Sequence, residues 1–124
     1  MNKTYNVAAF GIPASLVAAV ASLGNSKLPL RYSRHALSEA LNDRYGVLPH
    51  SAFPTVFKWS DNWALVEAES TPAGQLVKFV VRRVVDARRS LVLVVLADGT
   101  VKTLWTNLNS DQHATLDSGK FSRP

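Results

Sequence analysis

At 124 residues the chain suits a single domain with a core large enough to hold without covalent staples. The absence of cysteine excludes disulfides, thiolate metal sites and cysteine nucleophiles, and 47% hydrophobic with 19% charged residues excludes a wholly disordered chain. A net charge of +5, from 14 Lys+Arg against 9 Asp+Glu, favours polyanionic partners, nucleic acid first among them.

Residues 7–24 are mostly apolar, but Gly11, Pro13 and Ser15 interrupt the run, which is too short and broken for a membrane span. Ala19-Val20-Ala21 resembles a signal-peptidase site, yet only Lys3 precedes it as a basic residue, and a buried helix is the better reading. Pro13 suits a first helical position and Gly24 the residue past the end, which predicts a helix over 13–23. It is apolar almost all round, so it belongs in the interior or under a partner, such as a second copy of the chain.

Ser33 is a good N-cap for a second helix over 33–45, with Ala36, Leu37, Ala40 and Leu41 at helical spacing and Gly46 as the stop. His35 and Glu39, four apart, share its other face. Pro49 and Pro54 break up residues 47–60, where Val56–Trp59 fits either a strand or a helical turn. Strands follow at about 62–69, 75–86, 89–97 and 100–106, separated by the turn signals Thr71-Pro72-Ala73-Gly74 and Asp98-Gly99. Glu67 and Glu69 share a strand face and read as solvent-facing alternation. Trp59, Trp63 and Trp105 read as core anchors, and residues 107–124 as a polar tail across the surface. Consecutive strands with tight turns make a meander, so the expected fold is α+β, with two N-terminal helices packed on a four-stranded antiparallel sheet in one domain, 1–124.

The chemistry is narrowed by what is missing. No Gly-rich loop opens a helix after a strand, and no strained serine turn suits a Ser-His-Asp hydrolase. The three histidines are widely spaced, and no carboxylate cluster suits a metal site or a two-metal nuclease, so neither metal nor cofactor is expected. His, Arg, Lys and Thr remain. That set suits RNA, which carries its own nucleophile in the 2′-hydroxyl and needs only a base, an acid and donors for the phosphorane.

Two segments stand out. One is Tyr32-Ser33-Arg34-His35-Ala36-Leu37 with Asp43-Arg44-Tyr45-Gly46-Val47 at the far end of the same helix. The other is Lys102-Thr103-Leu104-Trp105-Thr106-Asn107 followed by Asp111-Gln112-His113-Ala114-Thr115-Leu116-Asp117. A histidine in a first helical turn lies near backbone amides that favour anions, and a basic residue, hydroxyls, an amide and a histidine gather at one sheet end.

Two N-terminal helices, a four-stranded meander, a Ser-Arg-His-Ala helix start and a last strand with Thr before a His-containing tail resemble the barnase/EndoU/colicin/RelE-like superfold of small metal-independent ribonucleases, which includes toxin domains and phage-encoded proteins. The likeness covers most of residues 10–117. It implies an endoribonuclease, toxin-like or phage-encoded, acting by 2′-hydroxyl attack. His35 would be general base or acid, Lys102, Thr103 or Thr106 would contact the scissile phosphate, and His113 or Thr115 would complete the site. Arg34, Arg44, Arg82, Arg88, Arg89 and Asn107 would bind RNA; Arg83 joins this set, but adjacent Arg82 and Arg83 point to opposite faces of a strand. RNA is then the expected partner, with an immunity protein, antitoxin or host target as a second, in the cytoplasm of a bacterium or an infected host and not on a membrane. The alternative is a non-catalytic small phage or bacterial protein that binds and inhibits a host protein or nucleic acid.

Overall fold

The structure is a computed structural model and describes residues 6–8, 12–43 and 45–110. In chain order come β1 (Asn6–Ala8), α1 (Ala14–Asn25), β2 (Leu28–Pro29), β3 (Arg31–Tyr32), α2 (Arg34–Leu41), a 3₁₀ turn (His50–Ala52), β4 (Val56–Phe57), β5 (Ala64–Ser70), β6 (Leu76–Val84), β7 (Arg89–Leu96) and β8 (Thr100–Leu108). One six-stranded sheet has the order β1-β5-β6-β7-β8-β3, and β2 with β4 forms a separate two-stranded one. Every ladder is antiparallel except β3 on β8. The fold is therefore α+β with two helices and a mostly antiparallel sheet. The expected four-stranded sheet is extended at both edges by strands of two or three residues, too short to show an alternating pattern. Among the described residues no helix is long and apolar enough to cross a membrane.

The valine-rich strands β6 and β7 lie in the middle of the sheet and pair along their whole length, from Lys78↔Leu96 to Val84↔Ser90. Side chains alternate between faces. Phe79, Val81, Leu91, Leu93, Val95 and Leu104 point to the face that receives Val20 of α1 and Ala36 and Ala40 of α2. Phe57 sits in this core with ring centroids 5.2 Å from Phe79 and 6.2 Å from Trp63. Val80, Val92 and Val94 form a smaller cluster on the other face, with Trp105 beside it. Glu67 and Glu69, expected in solvent, are on that face and only 2% and 7% exposed. A register shift between Leu65 and Glu67 in β5 sets Glu67 opposite Val80 on that face, and Lys78 Nζ meets Glu69 Oε1 at 3.7 Å.

Helix α1 differs from expectation at both ends. Pro13 is its N-cap, with its carbonyl accepting from the Leu16 and Val17 amides. Gly24 lies inside the last turn, because a Cβ there would stand 2.6 Å from the Trp59 backbone nitrogen; a close approach requires the glycine, not a helix stop. The helix buries only Leu16, Val20 and Gly24 and leaves small residues outside, so it lies on the sheet rather than within the core. Helix α2 stops at Leu41 instead of 45. Asn42 Nδ2 donates back to the Ser38 carbonyl, and Asp43 turns away to accept from the Tyr45 amide at 2.9 Å. Gly99 in the β7–β8 turn has φ +96 and approaches Pro29 O so closely that a Cβ would meet it at 2.1 Å. That turn supports β3, since Gly99 O accepts from the Arg31 amide at 2.9 Å.

Candidate functional site

Helix α2 runs beside β8, and three polar side chains in it and at its two ends hold it there. Ser33 Oγ accepts from the Ala36 amide at 3.0 Å, the N-cap its sequence predicts, and donates to the Lys102 carbonyl at 3.1 Å. Glu39 Oε1 accepts from the Leu104 amide at 3.3 Å, and Asp43 Oδ2 from the Thr106 amide at 2.7 Å. β3 pairs only with Thr100 and Val101, and the two carboxylates take over along the strand edge.

These contacts assemble an exposed corner. His35, in the first turn of α2, is 68% exposed, with Nε2 3.3 Å from Glu39 Oε2. Glu39 is thus held at one oxygen by β8 and at the other by the imidazole. Arg34 and Lys102 are exposed, Arg34 next to Ser33 in sequence and Lys102 carrying the carbonyl that Ser33 bonds. The arrangement is a histidine oriented by an anchored carboxylate, on a helix whose first turn also carries the exposed Arg34.

The other expected residues fall elsewhere. Thr106 is 2% exposed, and its hydroxyl donates to Asp43 Oδ1, so it holds the helix to the strand instead of facing a substrate. Arg82 projects to the opposite face of the sheet and donates from Nη2 to the Leu108 carbonyl at 3.0 Å. Asn107, expected in the polar tail, belongs to β8 and is buried on that same face, its Nδ2 without an acceptor among the described residues. Arg89 ties loops together: Nε donates to Asp86 Oδ2 at 2.9 Å, and Nη1 to the Tyr45 and Gly46 carbonyls at 3.1 Å each. The Arg89 bond, with the Arg88 and Arg89 amides, holds the Asp86 carboxyl below its ordinary range. Arg88 is exposed at this β6–β7 turn. Arg44, His113 and Thr115 lie outside the described residues. Of the candidates, His35 is the one held by a second side chain here, while Arg34 and Lys102 are exposed on the two elements that the Ser33 bond joins.

Glu39 and Asp43 are functional or supporting residues that the sequence reading did not assign. The four-residue spacing of His35 and Glu39 was the available signal for the first. Nothing local marks the second, whose partner lies 63 residues away. Among the described residues no three His, Asp or Glu side chains gather as a metal-binding group. Against protein-family models, curated proteins and solved structures, the chain finds no match.

Proposed function

We propose that the protein is a metal-independent endoribonuclease of toxin or phage type that cleaves RNA by attack of the 2′-hydroxyl. The observation that carries this reading is the His35–Glu39 pair, exposed at the start of α2 and fixed to β8 through the Leu104 amide. An N–H on Nε2 directed at Glu39 leaves the Nδ1 lone pair to accept a proton. In this reading His35 takes the 2′-hydroxyl proton, the 2′-oxygen bonds to phosphorus, and the bond from phosphorus to the 5′-oxygen breaks. The products are a 2′,3′-cyclic phosphate and a 5′-hydroxyl. Lys102 and Arg34 offset the charge on the phosphorane. His113 is the second imidazole that the reading calls on, to protonate the leaving oxygen.

The test is cleavage of labelled total RNA and tRNA by purified protein in excess EDTA. Cleavage is expected to persist, to leave cyclic phosphate ends, and to fall by about 10²–10⁴-fold in His35→Ala, the usual range for loss of a general base. Glu39→Gln should retain part of the activity with an altered pH profile. Full activity in His35→Ala would sink the assignment.

A second reading, a non-catalytic binder of a host protein, has its own support: Leu37 and Leu41, 52% and 70% exposed, form an apolar stripe on the outward side of α2. No cleavage of any RNA by the wild-type protein would favour it, and a pull-down with Leu37→Glu as control would follow.

A further inference from the structure

The loop Leu48–Ala52 and the β6–β7 turn bound an open groove of about 430 Å³, separate from the His35 corner. Leu48, Pro49, Ala52 and Val85 supply apolar walls, and Arg83 and Arg89 the cations. The two arginines differ. Arg89 is committed to Asp86, at 2.8 Å, and to two backbone carbonyls. Arg83 makes no hydrogen bond among the described residues. Its side chain is 21% exposed, its guanidinium lies 4.4 Å from the centroid of the Trp63 ring, and its nearest carboxylate is Asp61 at 3.9 Å.

A guanidinium has five N–H donors, and withdrawing them from water without acceptors costs free energy. Stacking on an indole fixes its plane but satisfies none of those donors at its edge. Arg83 thus brings to the groove a cation that pairs with Asp61 and lies over the Trp63 ring, yet makes no hydrogen bond among the described residues, beside apolar walls and the Asp86 carboxylate that Arg89 already holds. A phosphate joined to a flat apolar body meets both features. Its volume is near the small end of ligand pockets, about 300–1,000 Å³, which suits one nucleotide and not a folded chain.

We propose that this groove is a nucleotide subsite, with a phosphate on Arg83 and a base against Pro49, Ala52 and Val85. The proposal rests on the ribonuclease reading for its substrate. Arg89 lines the groove and holds the Tyr45 and Gly46 carbonyls of the segment that follows α2, and the groove takes a nucleotide flanking the scissile one.

The experiment titrates 5′-AMP, adenosine and inorganic phosphate into the intact protein by NMR and calorimetry, alongside RNA cleavage. Wild type should bind 5′-AMP more tightly than either fragment. Arg83→Gln should weaken that binding about tenfold, and so should Ser51→Glu, which adds a carboxylate at an exposed rim position and tests the groove without disturbing Trp63. His35→Ala should bind 5′-AMP as wild type does. Binding unchanged in Arg83→Gln and Ser51→Glu, or phosphate binding as tightly as 5′-AMP, would overturn the subsite. The two readings fail separately. RNA cleavage without 5′-AMP binding removes the groove alone. Binding that both groove variants weaken, without cleavage by wild type, keeps the groove and removes the enzyme.

Discussion

Asp43→Ala removes the link between α2 and the sheet, together with the turn bond that Asp43 accepts from the Tyr45 amide. The carboxylate accepts from the Thr106 amide at 2.7 Å and from the Thr106 hydroxyl, and both donors belong to a residue 2% exposed. Water cannot replace the lost acceptors without opening the helix from the strand. Two orphaned donors at about 1.5 kcal/mol each give a loss of about 3 kcal/mol. At a urea m-value of about 1.5–2 kcal/mol/M, the midpoint falls by about 1.5–2 M. Glu39→Ala is the internal comparison, because its single 3.3 Å bond is made by a partly exposed carboxylate and should be worth under about 1 kcal/mol. Thr106→Val should cost about 1 kcal/mol alone and almost nothing in the Asp43→Ala background, where it removes an orphaned hydroxyl. Urea unfolding followed by tryptophan fluorescence on the four proteins measures all of this. A midpoint shift for Asp43→Ala no larger than that for Glu39→Ala would refute the clamp.

Two further outcomes are expected. Gly99→Ala should lose about 2–3 kcal/mol or more in thermal unfolding, since it meets both an unfavourable φ of +96 and the Pro29 carbonyl; a stable Gly99→Ala protein would mean that β3 does not need this turn. The Asp86 carboxyl is held below its ordinary value of 3.8, chiefly by its Arg89 bond, so its contribution is present above that value and is lost as pH falls through the lowered folded value. Resonances of Tyr45 and Gly46, which Arg89 holds, should shift only below about pH 4 in an NMR titration, and Asp86→Asn should remove that transition.

Legibility followed the range of the interaction. Asp98-Gly99, the Thr71–Gly74 turn and Ser33 act within four residues, and each stands where its residue chemistry predicts. The long strands announced themselves through valine density. β3 and the β2–β4 pair did not, because two-residue strands have no period and exist only where Gly99 and Phe57 bring them a partner. Glu67 and Glu69 misled for another reason: alternation tells which residues share a face, not whether that face is covered, and theirs leaves them 2% and 7% exposed. In the candidate site, His35 was recognisable by type and by its position in a first turn. Thr106 has equally suitable chemistry, yet Asp43 claims it from across the fold.

The way β8 is covered has a consequence for how copies of the chain meet. Where a neighbouring strand guards an edge, the guard is backbone and survives most substitutions. Here much of the guard is two side chains, Glu39 on a helix only eight residues long and Asp43 two residues past its end. Removing them leaves the strand intact while baring its amides as a template for another strand. The doubly substituted Glu39→Ala, Asp43→Ala protein should therefore self-associate before it unfolds, growing β-rich aggregates at concentrations where the wild type stays dispersed.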